Sequence, residues 1–210
     1  MPSAKEDILA RIRSALADAP KPPEPERNYR RQGKLAQAQV LDMLVDRLVD
    51  YKANVYRETR EGLADRLSLL LGRSSQYLIP EGFNRAWLPK DTASRRCLVD
   101  AAGSEALSLQ TLDKVDAVIT GSTVSCAETG TIFLNSNPDE GRRAITLVPD
   151  HHICLVPASS VVELIPEAIA RISYRQPVTM ISGPSATSDI ELIRVEGVHG
   201  PRRLDVILVQ

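Results

Sequence analysis

Three short glycine-bearing segments carry the side chains of this chain that are best suited to chemistry. They are AETGT at 127–131, GPSATSD at 183–189 and GVHGP at 197–201, and each adjoins an apolar run typical of a β-strand. Glycine and proline permit tight turns and a close approach of the backbone to a ligand. In open α/β sheets, ligands bind at such turns at the ends of strands. Because the segments together supply carboxylate, hydroxyl and imidazole groups, we expect them to form one composite site.

Glu128 is the candidate catalytic residue of the first segment. A carboxylate in a turn at a strand end can act as a base, a nucleophile or an anchor for a ligand. The neighbouring Thr129 and Gly130 leave room for a ligand to approach, so we assign them to the binding site. The alternative is that Glu128 caps nearby main-chain amides or faces water.

The turn SGPS at 182–185 has the composition of a phosphate or carboxylate site, with hydroxyls and main-chain amides converging after a strand. We expect Gly183 and Ser185 to bind the ligand together with Asp189. The chain contains neither the Gly-Lys-Ser/Thr of a Walker A loop nor a G-x-G-x-x-G dinucleotide fingerprint. The alternative is an ordinary turn in which Asp189 or Ser188 caps a helix. The two interpretations are compatible, because helix N-termini attract anions.

Histidine and arginine supply the remaining candidate groups. His199 lies next to glycines, where its imidazole can bind a ligand or transfer a proton. In the histidine pair at 151–152 the side chains diverge if a strand starts there, so a shared metal is not expected. Of the two arginines at 142–143, we favour Arg143 as the partner of an anionic ligand or of Glu128. The alternative is that both arginines are solvated at the start of a strand.

Composition bounds the class of protein. The chain has 210 residues, of which 43% are hydrophobic and 25% charged, and its net charge is −1. These values are ordinary for a globular domain and give no drive toward nucleic acid or an anionic membrane. No apolar run approaches a membrane span and the start of the chain has no secretory signal, so we expect a cytoplasmic protein. The spacing of the three cysteines matches no zinc or iron–sulfur site, which predicts no metal in this chain.

The sequence predicts that the N-terminal part of the chain is an appendage to the rest. Ser3 and Glu6 form a capping box for a helix that stops before Pro20, and a proline-rich linker follows. We therefore divide the chain into a helix and linker at 1–33 and a single α/β domain at 34–210.

The domain alternates amphipathic helices with short apolar runs that predict strands. Two helices come first, and a third is expected from a capping box at Ser160 and Glu163 to about Ile172, where Pro166 can split it. Continuously apolar strands between helices predict an α/β fold with a largely parallel central sheet. The predicted strands are at 55–57, 76–79, 97–99, 117–120, 131–134, 145–148, 153–156, 178–181 and 204–209.

Four motifs occur in a fixed order: AETGTIFL at 127–134, RAITLVPDHHICLV at 143–156, GPSATSDIE at 183–191 and GVHGP at 197–201. Together they resemble the LUD-domain family, from about Leu35 to the C-terminus. The resemblance implies a Rossmann-like three-layer sandwich of the ribose-5-phosphate isomerase and CoA-transferase type. It also implies a role in oxidising L-lactate to pyruvate alongside two iron–sulfur partner proteins. The positions that match the motifs are Glu128, Thr129, Gly130, Arg143, His152, Gly183, Ser185, Asp189, Glu191, His199 and Gly200. From this set we expect His152 to bind the ligand as well.

The resemblance further implies a division of labour. Because this chain has no cysteine clusters and no flavin or nicotinamide fingerprint, we expect the iron–sulfur clusters on the partners and no cofactor in this chain. We predict a non-redox component that binds a small carboxylate or phosphorylated ligand, its partner subunits, or both. Two alternatives stay open. One is a free-standing enzyme that uses Glu128 on a phosphorylated or CoA-linked substrate, and the other is an assembly or regulatory module whose site is vestigial.

Overall fold

The computed structural model describes residues 3–17, 23–72, 76–101, 103–188, 194–196 and 200–210. The helices in these ranges are α1 (Ala4–Ala15), α2 (Gln37–Asp50), α3 (Leu63–Leu71), α4 (Leu109–Leu112) and α5 (Ile165–Ile169). The strands are β1 (Asn54–Glu58), β2 (Gln76–Pro80), β3 (Arg96–Asp100), β4 (Ala117–Thr120), β5 (Val124–Cys126), β6 (Thr131–Leu134), β7 (His151–Pro157), β8 (Val161–Val162), β9 (Thr179–Ile181), β10 (Ala186–Ser188), β11 (Arg194–Glu196) and β12 (Arg203–Val209). Short 3-10 helices span Arg85–Trp87, Gly103–Glu105, Arg143–Thr146 and Ala158–Ser160.

Six parallel strands form the central sheet, in the spatial order β1-β12-β7-β4-β2-β3. Successive residues of β7 alternate between two apolar clusters, as expected for a strand covered on both faces. One cluster contains Leu63 and Leu67 of α3, and the other contains Leu44 and Leu48 of α2. The predicted α/β fold with a largely parallel sheet is confirmed.

A smaller sheet, in the order β8-β5-β6-β9, packs on the same side of the central sheet as α2. Its strands β5 and β6 are antiparallel and are joined by the turn 127–130, while β9 pairs with the other edge of β6. Ile132 and Leu134 of β6 are buried in the cluster with α2. Strand β6 therefore has the Glu128 turn at its start and the loop 135–142 at its end. Strands β10 and β11 form a separate two-stranded antiparallel sheet.

Helix α1 begins at the predicted capping box. The amide of Glu6 donates to Ser3 Oγ at 3.4 Å, and the amide of Ser3 donates to Glu6 Oε2 at 2.7 Å. No residue of α1 is buried, and its apolar side chains are exposed at Ile8, Leu9 and Ile12. None of the described helices is long and apolar enough to cross a membrane.

The end of the linker is fastened to the domain by two glutamates. The amides of Lys34 and Leu35 donate to Glu163 Oε2 at 2.6 and 2.7 Å. The amide of Gly33 donates to Glu167 Oε1 at 3.2 Å. The carboxylates thus satisfy main-chain donors that precede α2.

The predicted strand at 145–148 is wrong. Residues 143–146 form a 3-10 helix, and Ile145 is buried in a cluster with Leu78 and Val118 of the central sheet. Periodicity alone does not distinguish a short buried strand from a buried turn of helix.

The predicted helix from Ser160 to Ile172 is shorter than expected. Ser160 ends a 3-10 helix and is followed by β8, and α5 begins only at Ile165, with Pro166 in its first turn. The expected capping box does not form because the Glu163 carboxylate accepts hydrogen bonds from the linker amides instead.

Candidate functional site

The end of α2 positions the glycines of the first two segments. Gly130 has φ +59°, and a Cβ there would lie 2.7 Å from Arg47 Cβ. Gly183 has φ +87°, and its Cβ would lie 2.7 Å from Tyr51 Cβ. Both values of φ are unfavourable for residues with a side chain. Because Tyr51 directly follows α2 and leads into β1, both turns lie at the amino-terminal edge of the central sheet.

Hydroxyl groups connect these turns. Thr131 Oγ1 lies 2.8 Å from Thr129 Oγ1 and 2.9 Å from Ser182 Oγ, and we call these three residues the hydroxyl cluster. The amide of Ser185 donates to the carbonyl oxygen of Pro201 at 2.8 Å. The described parts of the three segments singled out in the sequence therefore meet at this edge.

Glu128 lies in the turn between β5 and β6. Its carboxylate forms an ion pair with Arg30 of the linker, and 41% of its side-chain surface is exposed. Its main-chain amide donates to the carbonyl oxygen of Glu163 at 3.1 Å. The carboxylate is accessible, and in this structure its counter-ion comes from the same chain. It can therefore hold the linker or exchange Arg30 for a ligand.

His152 is enclosed between strands. Its side chain is buried on β7, and Nε2 lies 2.8 Å from Thr120 Oγ1 of β4. Burial, together with the charge of His151, lowers the pKa of His152 to about 3. The ring is therefore neutral near pH 7 and links two strands of the sheet.

The neighbouring His151 belongs to a buried polar group that sequence reasoning missed. Its Nε2 lies 2.8 Å from Asp205 Oδ2, Asp205 also accepts a hydrogen bond from Asn54 at 2.7 Å, and Arg203 forms an ion pair with Asp205 at 2.7 Å. Burial on its own raises the pKa of Asp205, but the hydrogen bonds from His151 and Asn54 and the nearby positive charges outweigh it, so the pKa is lowered. The sequence signal that could have found this group is Asp205 itself, an aspartate inside an otherwise apolar strand. Aspartates are rarely buried unless they are paired, so its position indicates a buried partner.

A cavity of about 770 Å³ opens at the opposite, carboxyl-terminal edge of the central sheet. It lies between the ends of β2 and β3 and the loop that follows β6. The strand order reverses at the neighbouring pair β2 and β4, because the chain runs from β2 to β3 in one direction and from β4 to β7 in the other. Ligands of open α/β sheets bind at the carboxyl ends of the strands near such a reversal. Its volume is in the range of small-molecule sites. Its apolar wall is formed by Pro80, Ala101, Pro138 and Pro177, and its polar groups include Glu81, Arg142, Arg143 and Gln176.

The two adjacent arginines in this cavity differ in their contacts. Arg142 donates to both carboxylate oxygens of Asp100 at 2.8 and 2.9 Å, and to the carbonyl oxygen of Leu107 at 2.6 Å. The hydrogen bonds with Asp100 raise the pKa of Arg142. Arg143 is exposed, and its guanidinium has no ion-pair or hydrogen-bond partner among the described residues. Arg143 is therefore the cation that a ligand can reach, and we call this cavity the arginine pocket.

Glu128 and Arg143 do not share a cleft. Glu128 lies before Thr131, the first residue of β6, and the loop that lines the arginine pocket follows Leu134, its last residue. An extended strand of this length spans roughly 10 Å. The expected single site thus separates into the hydroxyl cluster at one edge of the sheet and the arginine pocket at the other. Asp189, Glu191 and His199 lie outside the described residues, and their assignment to a site stays a prediction.

The family follows from residues 85–209, which match the family model described as LUD domain and make up more than half of the chain. The chain belongs to the LUD-domain family. The matched part of this LUD-domain protein contains the loop 135–142 that lines the arginine pocket, the Glu128 turn and the hydroxyl cluster. Helices α1, α2 and α3 precede the matched part.

This LUD-domain protein is similar over nearly its whole length to proteins named lactate utilization protein C. It is 40% identical to the one from Deinococcus radiodurans, with 98% of this chain and 95% of that protein covered. It is 32% identical to the one from Bacillus subtilis strain 168, again with 98% and 95% covered. A solved structure of a DUF162 family protein from Deinococcus radiodurans matches with a TM-score of 0.71 and 36% identity, covering 84% of this chain and 100% of that chain.

The described residues offer no evident metal centre. No group of three or more His, Cys, Asp or Glu side chains among them is arranged to hold a metal ion. The cysteines are free, and burial raises the pKa of Cys154 to about 12. In the part of the chain that the structure describes, the geometry best supports a site for an anionic ligand at Arg143.

Proposed function

We propose that this LUD-domain protein is a non-redox component of a lactate-utilization system and binds an anionic ligand in the arginine pocket. Relatives 40% and 32% identical over nearly the whole chain carry the name lactate utilization protein C, which supports the pathway. In this proposal two iron–sulfur partner proteins carry out the oxidation of L-lactate to pyruvate. In this proposal the lactate-utilization system operates in the cytoplasm.

The observation that carries the ligand part of the proposal is the guanidinium of Arg143, which has no partner among the described residues and lies in a pocket at the carboxyl ends of parallel strands. A charged hydrogen bond to a carboxylate or phosphate contributes about 1.5–3 kcal/mol. Arg142 lines the same cavity but is already engaged by Asp100, so it shapes the wall. One anionic group of the ligand is therefore expected at Arg143.

The proposal assigns the electron carriers to the partners. The sequence contains none of the ligand spacings that iron–sulfur clusters need. We expect the protein purified alone to show no flavin or iron–sulfur absorbance and less than one metal ion per chain. A stoichiometric chromophore on the isolated protein would overturn this part.

The experiment for the complex is purification of the native protein followed by an assay of lactate-dependent electron transfer. We expect iron-containing partners to accompany it, and Arg143→Ala to lower turnover about tenfold or more while the assembly is retained. Arg60→Ala, which removes another exposed arginine, is the matched control. Recovery of the protein without any iron-containing partner would contradict the proposal.

A second candidate function rests on Glu128. Its half-exposed carboxylate lies in the turn that contains Thr129 of the hydroxyl cluster, whose hydroxyls can donate to a bound anion. A free-standing enzyme could use Glu128 as a base or nucleophile on a phosphorylated or CoA-linked substrate. The ion pair with Arg30 would have to open for the substrate to reach the carboxylate.

A further inference from the structure

The volume of the arginine pocket does not suit lactate itself. The cavity measures about 770 Å³. A three-carbon acid fills on the order of 100 Å³, by comparison with the roughly 30 Å³ that one water molecule takes in the liquid. Lactate at Arg143 would therefore leave most of the wall in contact with water. Because pockets bury most of the surface of the ligands they select, the ligand is expected to be several times larger.

The polar groups of the pocket define what such a ligand must carry. Arg143 offers one cation that no other described residue pairs with. The carboxylate of Glu81 and the side-chain amide of Gln176 also have no hydrogen-bond partner among the residues that the structure describes. A carboxylate accepts hydrogen bonds only, and Glu81 is exposed, so a ligand with donors such as hydroxyls can exchange water for its own bonds to this group. A fatty acid would fill the volume but would form no hydrogen bond with Glu81.

The remaining wall is largely apolar. It is lined by Pro80, Pro138 and Pro177 and by the small side chain of Ala101. Proline has a fixed φ, so a surface built from it loses little freedom when a ligand binds. Such a wall suits a flat ring system, which gains from contact over its whole face.

We propose that the arginine pocket binds a phosphate ester the size of a nucleoside monophosphate. The phosphate contacts Arg143, the sugar hydroxyls donate to Glu81, and the base packs on the prolines. This inference rests on the proposed function, since it uses the same anion site, and it goes further by naming the class of ligand. Inorganic phosphate or lactate satisfies Arg143 alone, and a sugar phosphate satisfies the two charged groups without covering the wall.

The test is calorimetric titration of the full chain with four probes: L-lactate, inorganic phosphate, ribose 5-phosphate and adenosine 5′-monophosphate. We expect the monophosphate to bind at least about tenfold more tightly than ribose 5-phosphate, because only it covers the wall. Arg143→Ala should weaken its binding about tenfold or more, and Glu81→Gln should weaken it several-fold while leaving inorganic phosphate unaffected. Arg60→Ala should change nothing.

The outcomes separate this inference from the proposed function. If lactate or phosphate binds in an Arg143-dependent way and the monophosphate binds no more tightly, the anion site stands and the ligand class is overturned. If no probe binds, the anion site itself is overturned. If the monophosphate binds tightly and Arg143→Ala has no effect, it binds elsewhere, and the inference fails on that ground.

Discussion

His152 shows how burial sets the charge of a single residue and, through it, the response of the protein to acid. Its pKa is lowered to about 3 in the folded protein, whereas the pKa of a histidine in an unfolded chain is about 6.5. As the pH falls between these values, the unfolded chain takes up a proton that the folded chain does not. The free energy of unfolding therefore falls by up to about 1.4 kcal/mol per pH unit. We expect His152→Gln to remove this slope in urea unfolding followed from about pH 7 to about pH 4.5.

The matched control for this experiment is Thr120→Val. It removes the hydroxyl that lies 2.8 Å from the ring and keeps the ionisable group. It should lower stability by about 1 kcal/mol at neutral pH and retain the slope in acid. An equally steep slope in His152→Gln would show that another group carries it.

Glu128→Gln separates the two candidate functions. The substitution keeps the shape of the side chain and removes the charge that pairs with Arg30. Because this pair is exposed and screened by solvent, we expect the urea midpoint to change little. Affinity at the arginine pocket should be retained, because the pocket lies at the other end of β6. We also expect turnover of the assembled system to be retained, since the proposed redox chemistry lies on the partners.

The measurements for Glu128→Gln are turnover, anion affinity and urea unfolding, with Glu61→Gln as an exposed control. A fall in turnover by orders of magnitude with affinity unchanged would favour the enzyme hypothesis. Loss of both together would instead make Glu128 a ligand anchor.

At the residue scale, sequence could name candidates but could not tell which of two neighbours is free. It favoured Arg143 over Arg142, yet the fact that decides between them is the pairing of Arg142 with Asp100, 42 residues earlier in the chain. In the same way, nothing local distinguishes His151, which pairs with Asp205, from His152, which faces Thr120. Such contacts are made by the fold, so a single sequence does not reveal them.

At the scale of elements, the turn after β9 depends on the close packing of Gly183 against Tyr51. Gly183→Ala adds a methyl group 2.7 Å from Tyr51 Cβ at φ +87°. Gly103→Ala is a matched control, since it has φ +73° and no heavy atom of the described residues within 4 Å, apart from its chain neighbours. Gly103→Ala should lower the free energy of unfolding by about 1–2 kcal/mol, because of backbone strain alone. We expect Gly183→Ala to cost about 1–3 kcal/mol more in urea unfolding, and equal losses would mean that Tyr51 moves aside freely.

The elements best predicted from sequence are those whose pattern has one physical explanation. Continuously apolar runs such as 117–120 and 153–156 are strands buried on both faces, and both lie in the central sheet. The run at 145–148 has the same pattern, but its first two residues end a 3-10 helix and Ile145 packs on Leu78, because the residues that cover a short apolar run decide its conformation. Strands β5 and β8 were missed, since three and two residues carry no periodicity to detect.

For the whole molecule, the direction of the strands explains why the predicted site divides. The turns at Glu128 and Gly183 lie where the parallel strands begin, and Arg143 lies where they end. Sequence shows that a turn adjoins a strand, but it does not show which edge of the sheet the turn reaches. The described parts of the family motifs therefore lie at both edges of the central sheet, and a ligand in the arginine pocket does not touch the hydroxyl cluster directly.

The N-terminal part of the molecule gives the last prediction, which concerns how far the folded domain extends. Helix α1 buries no residue, so a chain that begins at residue 23 should unfold at the same urea concentration as the full chain. A chain that begins at residue 37 also loses the amides that donate to Glu163 and Glu167. Each such bond contributes about 0.5–1.5 kcal/mol, and the two carboxylates lose partners, so we expect a loss of about 2–4 kcal/mol.

Glu163→Gln in the full chain is the control for this pair of truncations. It weakens the acceptor of two of the three linker amides, so it should reproduce part of the loss seen on starting at residue 37. If only the chain that begins at residue 37 loses stability, the boundary of the folded domain lies inside the linker, which contains the ion pair of Arg30 with Glu128. If the shorter truncation already lowers the urea midpoint as much as the longer one, α1 packs on the domain in solution, and the separation into an appendage at 1–33 and a domain at 34–210 is wrong.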